Sequence, residues 1–283
     1  MSLWTRRVGI QLAYPYEEKR LAKYGRPLLV QPKLNGERCR AIIRRGAVTL
    51  LSSEENEITT LPHIPKILAC LSFAHLELDG ELYCHGMSKQ QIGSFIRRKH
   101  PKEGYEQIQF HVFDLVDENV CQLERLALFY QYIACHLPFP VETHRVEEHA
   151  SIQILLNHYM SLGYEGVIVR NPLARYQRKR TTDMMKWKPR GKDSYLIIGY
   201  KEEIDIYGTP KGALGSLLLE SDGERFSVGS GSYFTRSSRE YLWTIRETLP
   251  GKYATVKYPE LTDRGVPNHP VIVEITEERQ DEE

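Results

Sequence analysis

Apolar residues recur at alternate positions in short runs through the first part of the chain, with turn residues between the runs. LLVQPKL (28–34), ERCRAII (37–43) and AVTLL (47–51) read as strands, separated by Asn35-Gly36 and Arg45-Gly46. Such dipeptides between strand runs predict hairpin turns, so this stretch is expected to form an antiparallel meander. A helix is expected around residues 15–23. Helical apolar spacing marks 123–137 and 152–162, the second ended by Gly163, a residue suited to a left-handed stop. EGVIVR (165–170) and DMMKWKP (183–189) read as further strands.

After PRGKD (189–193) the texture changes to SYLIIGYK (194–201), GSLLLES (215–221), ERFSVGSG (224–231) and ATVKYPEL (254–261), with one helix over 236–248. Several short strands and a single helix in so short a stretch predict a small β-barrel, most often of the oligonucleotide-binding (OB) type. The fold class is therefore α+β, with one domain over 1–190 and a barrel over 191–283. The acidic tail, 277–283, is expected to fray.

Composition narrows the partners. With 283 residues and 41% hydrophobic content the chain can build two cores. Its 38 basic and 37 acidic side chains leave a net charge of +1. Any attraction to a polyanion must then come from local patches, for which RRKH (97–100) and RYQRKR (175–180) are the candidates. The five cysteines are odd in number and contain no C-x-x-C pair, so neither a disulfide framework nor a structural zinc site is indicated. MSLWTRRVGI has no signal-peptide character, and no apolar run is long enough to span a bilayer. A reducing, cytoplasmic setting is expected.

The candidate chemistry centres on Lys33, in QPKLNGER (31–38). A lysine in water has a pKa of about 10.4 and is a poor nucleophile at neutral pH unless other cations crowd it. Four later clusters could converge on it: ELDGEL (77–82), HVFDLV (111–116), EGVIVR (165–170) and MKWKPR (185–190). Taken singly each has an ordinary structural explanation, such as a turn, a core aromatic or an exposed strand. Lys186 and Lys188 alternate across Trp187 and so share one face of a strand.

In this order the clusters resemble the motifs of the covalent nucleotidyltransferase superfamily, which includes ATP-dependent DNA ligases, RNA ligases and mRNA capping enzymes. The resemblance covers nearly the whole chain. It implies an ATP-grasp-like nucleotidyltransferase domain followed by an OB barrel, with Lys33 as the nucleophile that takes AMP from ATP. It implies that Arg38 holds phosphate or ribose, that Phe113 stacks on the purine, and that Lys186 and Lys188 face the triphosphate. Glu81 and Glu165 are implied as ribose contacts and as ligands of Mg2+ or Mn2+, a hard cation suited to oxygen donors. Gln31 is expected to read adenine through its side chain or backbone.

ELYCHGMSKQQI (81–92), DENVCQLERLAL (117–128) and the closing stretch 254–275 favour the ATP-dependent DNA ligases. The expected partner is nicked duplex DNA, met by a monomer through Arg97, Arg98, Lys99, Arg175, Arg178, Lys179 and Arg180. By analogy the barrel swings between a closed and a DNA-clamping pose. Three positions depart from the pattern: Asn35 replaces the motif aspartate, Ser53 an arginine, and Asn268 a late arginine. An mRNA guanylyltransferase, an RNA ligase or a catalytically weakened nucleic-acid-binding homologue are the alternatives.

Overall fold

The computed structural model describes residues 9–71, 73–262 and 264–279. The expected features of the first eight residues and of 280–283 lie outside the described residues. The chain divides into two compact units, Met1–Lys188 and Pro189–Glu283.

The first unit contains two sheets. In chain order its elements are β1 (Leu12–Pro15), β2 (Leu28–Lys33), β3 (Glu37–Arg44), β4 (Ala47–Ser52), α1 (His63–Leu68), β5 (Leu76–Tyr83), α2 (Lys89–Ile96), β6 (Gln109–Leu115), α3 (Gln122–Leu128), β7 (His144–Val146), α4 (His149–Ser161), β8 (Gly166–Arg170) and β9 (Arg180–Trp187). One sheet has the order β1-β9-β8-β2-β7 and the other β4-β3-β5-β6. All pairings are antiparallel except β1 with β9.

The expected meander is corrected by this topology. β2 and β3 belong to different sheets, so Asn35-Gly36 is a crossover between sheets and not a hairpin turn. Gly36 is required by proximity: a Cβ there would lie 2.2 Å from the Leu82 carbonyl oxygen. Arg45-Gly46 is the true hairpin, joining β3 to β4 with φ of +50° and +84° at its two residues, the left-handed pair that the right-handed twist of the strands demands. The expected helix over 15–23 is also reduced. Leu12–Pro15 is recruited alongside β9, and Tyr16 N–H donates to the Lys186 carbonyl at 2.9 Å, which leaves a 3-10 helix over Glu18–Lys23. The helical stretch 123–137 begins as α3 and then loosens into a π turn, Phe129–Ile133.

Each sheet has its own core. Leu78, Leu82, Ile92, Val112 and Phe129 are among the residues packed behind the second sheet. Leu28, Val30, Val167, Val169 and Met185 pack the first sheet against α4. Since strand side chains alternate, the opposite faces are left to carry polar residues.

The second unit is an OB barrel. It comprises β10 (Gly191–Ile204), β11 (Pro210–Ser221), β12 (Glu224–Val228), α5 (Arg236–Thr244), β13 (Tyr253–Tyr258), a short pair β14 (Glu260–Leu261) and β15 (Pro267–Asn268), and β16 (Val271–Thr276). The main sheet runs β12-β11-β10-β13-β16. β10 is long enough to pair with β11 toward its end and with β13 toward its start. Ile272 N–H donates to the Ser230 carbonyl at 2.9 Å, which brings β16 to the end of β12 and closes the barrel. Thr235 caps α5 through its side chain, and Ile197, Leu217, Val228, Leu242 and Val256 fill the interior.

Candidate active site

The site is built on the polar faces of the two sheets in the first unit. On β2, Gln31 and Lys33 project to one side. On β8 and β9, Ile168 and Lys186 stand in register with Gln31 and continue the same row. In the second sheet Arg38, Glu81 and His111 stand opposite one another on β3, β5 and β6.

Lys33 and Glu165 are joined twice. Glu165 N–H donates to the Lys33 carbonyl at 3.1 Å, and the Glu165 carboxylate forms an ion pair with the Lys33 ammonium. The second carboxylate oxygen pairs with Lys188. All three side chains are largely buried, Lys33 being 20% exposed and Glu165 12%. Gly166 makes this close approach possible: it has φ of +144°, and a Cβ there would lie 2.1 Å from the Trp187 carbonyl oxygen.

The electrostatics follow from this crowding. Burial alone would raise the Glu165 carboxyl, but the ammonium groups of Lys33 and Lys188 outweigh it and hold the group below its ordinary range. Lys186 is lowered, first by burial and then by repulsion from Lys33 and Arg180. Glu81 is pushed up to about 7 by burial, against the pull of Arg38, Lys33 and Lys89. The structure therefore brings Lys33, Glu165, Lys188, Lys186, Glu81 and Arg38 to one locality.

Three of the expected residues are engaged within the protein itself. The Gln31 side chain is held by three neighbours. Its amide donates to the Phe113 carbonyl at 2.9 Å and to Thr143 Oγ1 at 2.8 Å, while its oxygen accepts from Arg170 Nε at 2.7 Å. Arg38 is held by Asp79 in a two-pronged contact at 2.7 and 2.6 Å and also donates to the Gln11 carbonyl. Phe113 has the guanidinium groups of Arg38 and Arg170 at 4.6 and 5.3 Å from its ring centroid, so a stacking purine can use only a face these cations leave open.

Behind these residues lies a polar network that sequence reading missed. Asp114, on β6, accepts from Arg125 Nε at 3.0 Å, from Arg170 Nη1 at 2.9 Å and from Gln122 at 3.2 Å. Asp79 is fully buried and accepts from Arg38 and from Tyr176 Oη at 2.6 Å. Gln31 and Arg170 come from the first sheet, and Asp114 and Asp79 from the second, so the network ties the two polar faces together.

The basic patches divide. Arg98 and Lys99 are exposed after α2, while Arg97 is exposed but paired with Glu37. Arg175 and Lys179 are exposed. Arg178 is committed to Glu77 at 2.9 Å and Glu118 at 2.6 Å, and Arg180 donates to the Ala13 carbonyl at 2.5 Å.

The carboxylates of the site differ in what they offer a divalent cation. Both Glu165 oxygens are engaged by lysines, so in this arrangement it serves as the anchor of Lys33. Glu81 is a carboxylate whose ionisation is opposed by burial, a group that a nearby cation would charge. No cluster of three or more His, Cys, Asp or Glu side chains suited to a metal occurs among the described residues.

Comparison with known proteins gives a consistent result. A sequence profile described as the ATP dependent DNA ligase domain matches residues 11–188, and one described as a DNA ligase OB-like domain matches 207–275. A DNA ligase of Haemophilus influenzae is 30% identical over 199 residues, which are 69% of this chain and 70% of that protein. A DNA ligase of African swine fever virus is 27% identical over 263 residues, 84% of this chain but only 61% of the viral protein. Among solved structures, a Lig E DNA ligase superposes with a TM-score of 0.73 at 21% identity, covering 94% of this chain and 98% of that one. The Chlorella virus DNA ligase-adenylate has a TM-score of 0.54 at 23% identity, over 98% of this chain and all of that one.

Proposed function

The chain belongs to the ATP-dependent DNA ligase family, and from that premise we propose that it seals nicks in duplex DNA through an adenylate carried on Lys33. The arrangement that carries the reading is the Lys33–Glu165–Lys188 group, an amine fixed between an anionic acceptor and neighbouring cations. Lys33 Nζ, directed by the Glu165 carboxylate, loses its proton to solvent and attacks the α-phosphorus of ATP. The N–P bond forms as the bond to the pyrophosphate oxygen breaks. AMP then passes to the 5′-phosphate of the nick, and the 3′-hydroxyl displaces it.

Lys186 and Lys188 supply positive charge toward the triphosphate, and Arg38, held by Asp79, is oriented before the nucleotide arrives. When bound, Mg2+ or Mn2+ would neutralise charge on the leaving pyrophosphate, and Glu81 is the carboxylate that would hold it. The exposed Arg98, Lys99, Arg175 and Lys179 are proposed phosphate contacts. The domain limits 1–190 and 191–283, a monomer and a cytoplasmic setting belong to the same proposal. All five cysteines are free thiols, and among the described residues no helix is long and apolar enough to cross a membrane.

The test is a nick-sealing assay on a duplex with a labelled 5′-phosphate. Joined product that requires ATP and a divalent cation is expected. Persistence of the open nick with AMP-charged protein overturns the proposal. Substituting RNA on either side of the break defines strand tolerance.

A further inference from the structure

Of the row Arg38–Glu81–His111 across the second sheet, His111 has no part in the proposal above. Cross-strand register places it beside Glu81, and although β6 bulges at Phe113, the Arg38 guanidinium 4.6 Å from the Phe113 ring brings that ring to the same row. Its ring is packed on two sides. It stacks on Phe139 with centroids 5.1 Å apart and planes at 23°, and it meets Tyr83 edge to face at 5.3 Å and 83°.

The hydrogen bonding selects one form of the imidazole. Nε2 lies 2.9 Å from Gln109 Oε1, an atom that only accepts, so Nε2 carries the proton and Nδ1 offers a lone pair. An imidazole packed on two sides, with its Nε2–H committed to Gln109 and Nδ1 left as an acceptor, is suited to recognise a hydroxyl hydrogen.

Which hydroxyl follows from position. Lys33 determines where the α-phosphorus must lie, and Phe113 marks the platform for the base. In a nucleoside triphosphate the group between these is the ribose. His111 is two residues from Phe113 along β6 and adjoins Glu81, which lies within electrostatic reach of Lys33.

We propose that His111 Nδ1 accepts a hydrogen bond from the ribose 2′-hydroxyl of the bound nucleotide, making His111 a residue that selects ATP over dATP. The assignment rests on the reading of Lys33 as the adenylated nucleophile. No bond is made or broken by His111.

The experiment measures kcat/KM for formation of the Lys33 adenylate with ATP and with dATP, in the full chain. His111→Phe keeps the ring contacts and removes the acceptor, and His111→Asn places an amide oxygen near the position of Nδ1. The ATP:dATP ratio should fall roughly tenfold in H111F, the size expected for one lost hydrogen bond, and recover in part in H111N. The dATP reaction serves as the internal control for folding. A ratio indifferent to residue 111, or equal losses with both nucleotides, overturns the assignment while leaving the ligase reading in place. Absence of adduct with either nucleotide in the unsubstituted protein overturns both.

Discussion

Glu165 grips Lys33 by backbone and side chain at once, its N–H on the Lys33 carbonyl and its carboxylate on the Lys33 ammonium. The backbone contact sets the relative height of β2 and the turn before β8, and the ion pair sets the direction of the amine. A nucleophile on a flexible four-carbon stem is thereby given one address. The account of the site follows from this pairing, because Lys188 and Glu81 are disposed around the same carboxylate and amine.

Glu81 makes stability depend on pH with an unusual sign. Below about 4.5 its carboxyl is protonated in folded and unfolded chains alike. Between 4.5 and about 7 the folded protein retains a proton that the unfolded chain has lost, so this group's contribution falls as pH rises through that window. Glu81→Gln should match the parent near pH 4 and exceed it at pH 8 by on the order of 2–3 kcal/mol. Thermal melts of both proteins across pH 4–8 check this, and parallel curves would refute it.

Asp114 neutralises two arginines that are almost wholly buried, Arg125 at 1% and Arg170 at 3% side-chain exposure. Asp114→Ala leaves both uncompensated and should cost about 3–5 kcal/mol. Urea unfolding measures the loss. The first unit should respond most, and a change under 1 kcal/mol would show that the network is not what joins the two polar faces.

Two glycines, Gly36 just after the nucleophile and Gly46 in the hairpin at the far end of β3, separate local from long-range demands. Gly46→Ala meets nothing within 4 Å and should lose only about 1–2 kcal/mol for its left-handed backbone. Gly36→Ala collides with the β5 backbone, and moving β5 displaces Glu81. Adenylation should therefore drop at least roughly tenfold in G36A, where an ångström of misplacement is costly, and remain near the parent rate in G46A.

The basic residues should separate by assay. Arg98→Ala and Lys99→Ala should each weaken nick binding and lower the salt dependence by close to one power of salt concentration. Arg178→Ala should instead reduce thermal stability, since Glu77 loses one of its two arginine partners. Gel-shift titrations at several salt concentrations, beside melting curves, distinguish the two outcomes.

Much of this was legible in the chain. The strands 28–33, 37–44 and 166–170 announce themselves by alternation, the barrel by short strands with turn residues, and Gly163 by its position after an apolar helix. The convergence of Lys33 with Glu165, Lys186 and Lys188 was readable from motif order. Other features had no local signal. Asn35-Gly36 reads as a turn because nothing near it records that the next strand joins another sheet. Gln31 precedes the nucleophile and looks like a base reader, yet Arg170 and Thr143, distant in sequence, absorb its amide. A signal was available for α2: Ser88 with Gln91 forms a capping box, a pattern visible in the residues alone.

Mass spectrometric and radiolabel mapping of the protein after incubation with α-labelled ATP and Mg2+ tests the central claim most directly. The account predicts one acid-labile AMP on Lys33, abolished in Lys33→Ala and slowed at least roughly a hundredfold in Glu165→Gln through loss of the group that fixes the amine. Label on another residue, or undiminished label in Lys33→Ala, would contradict it.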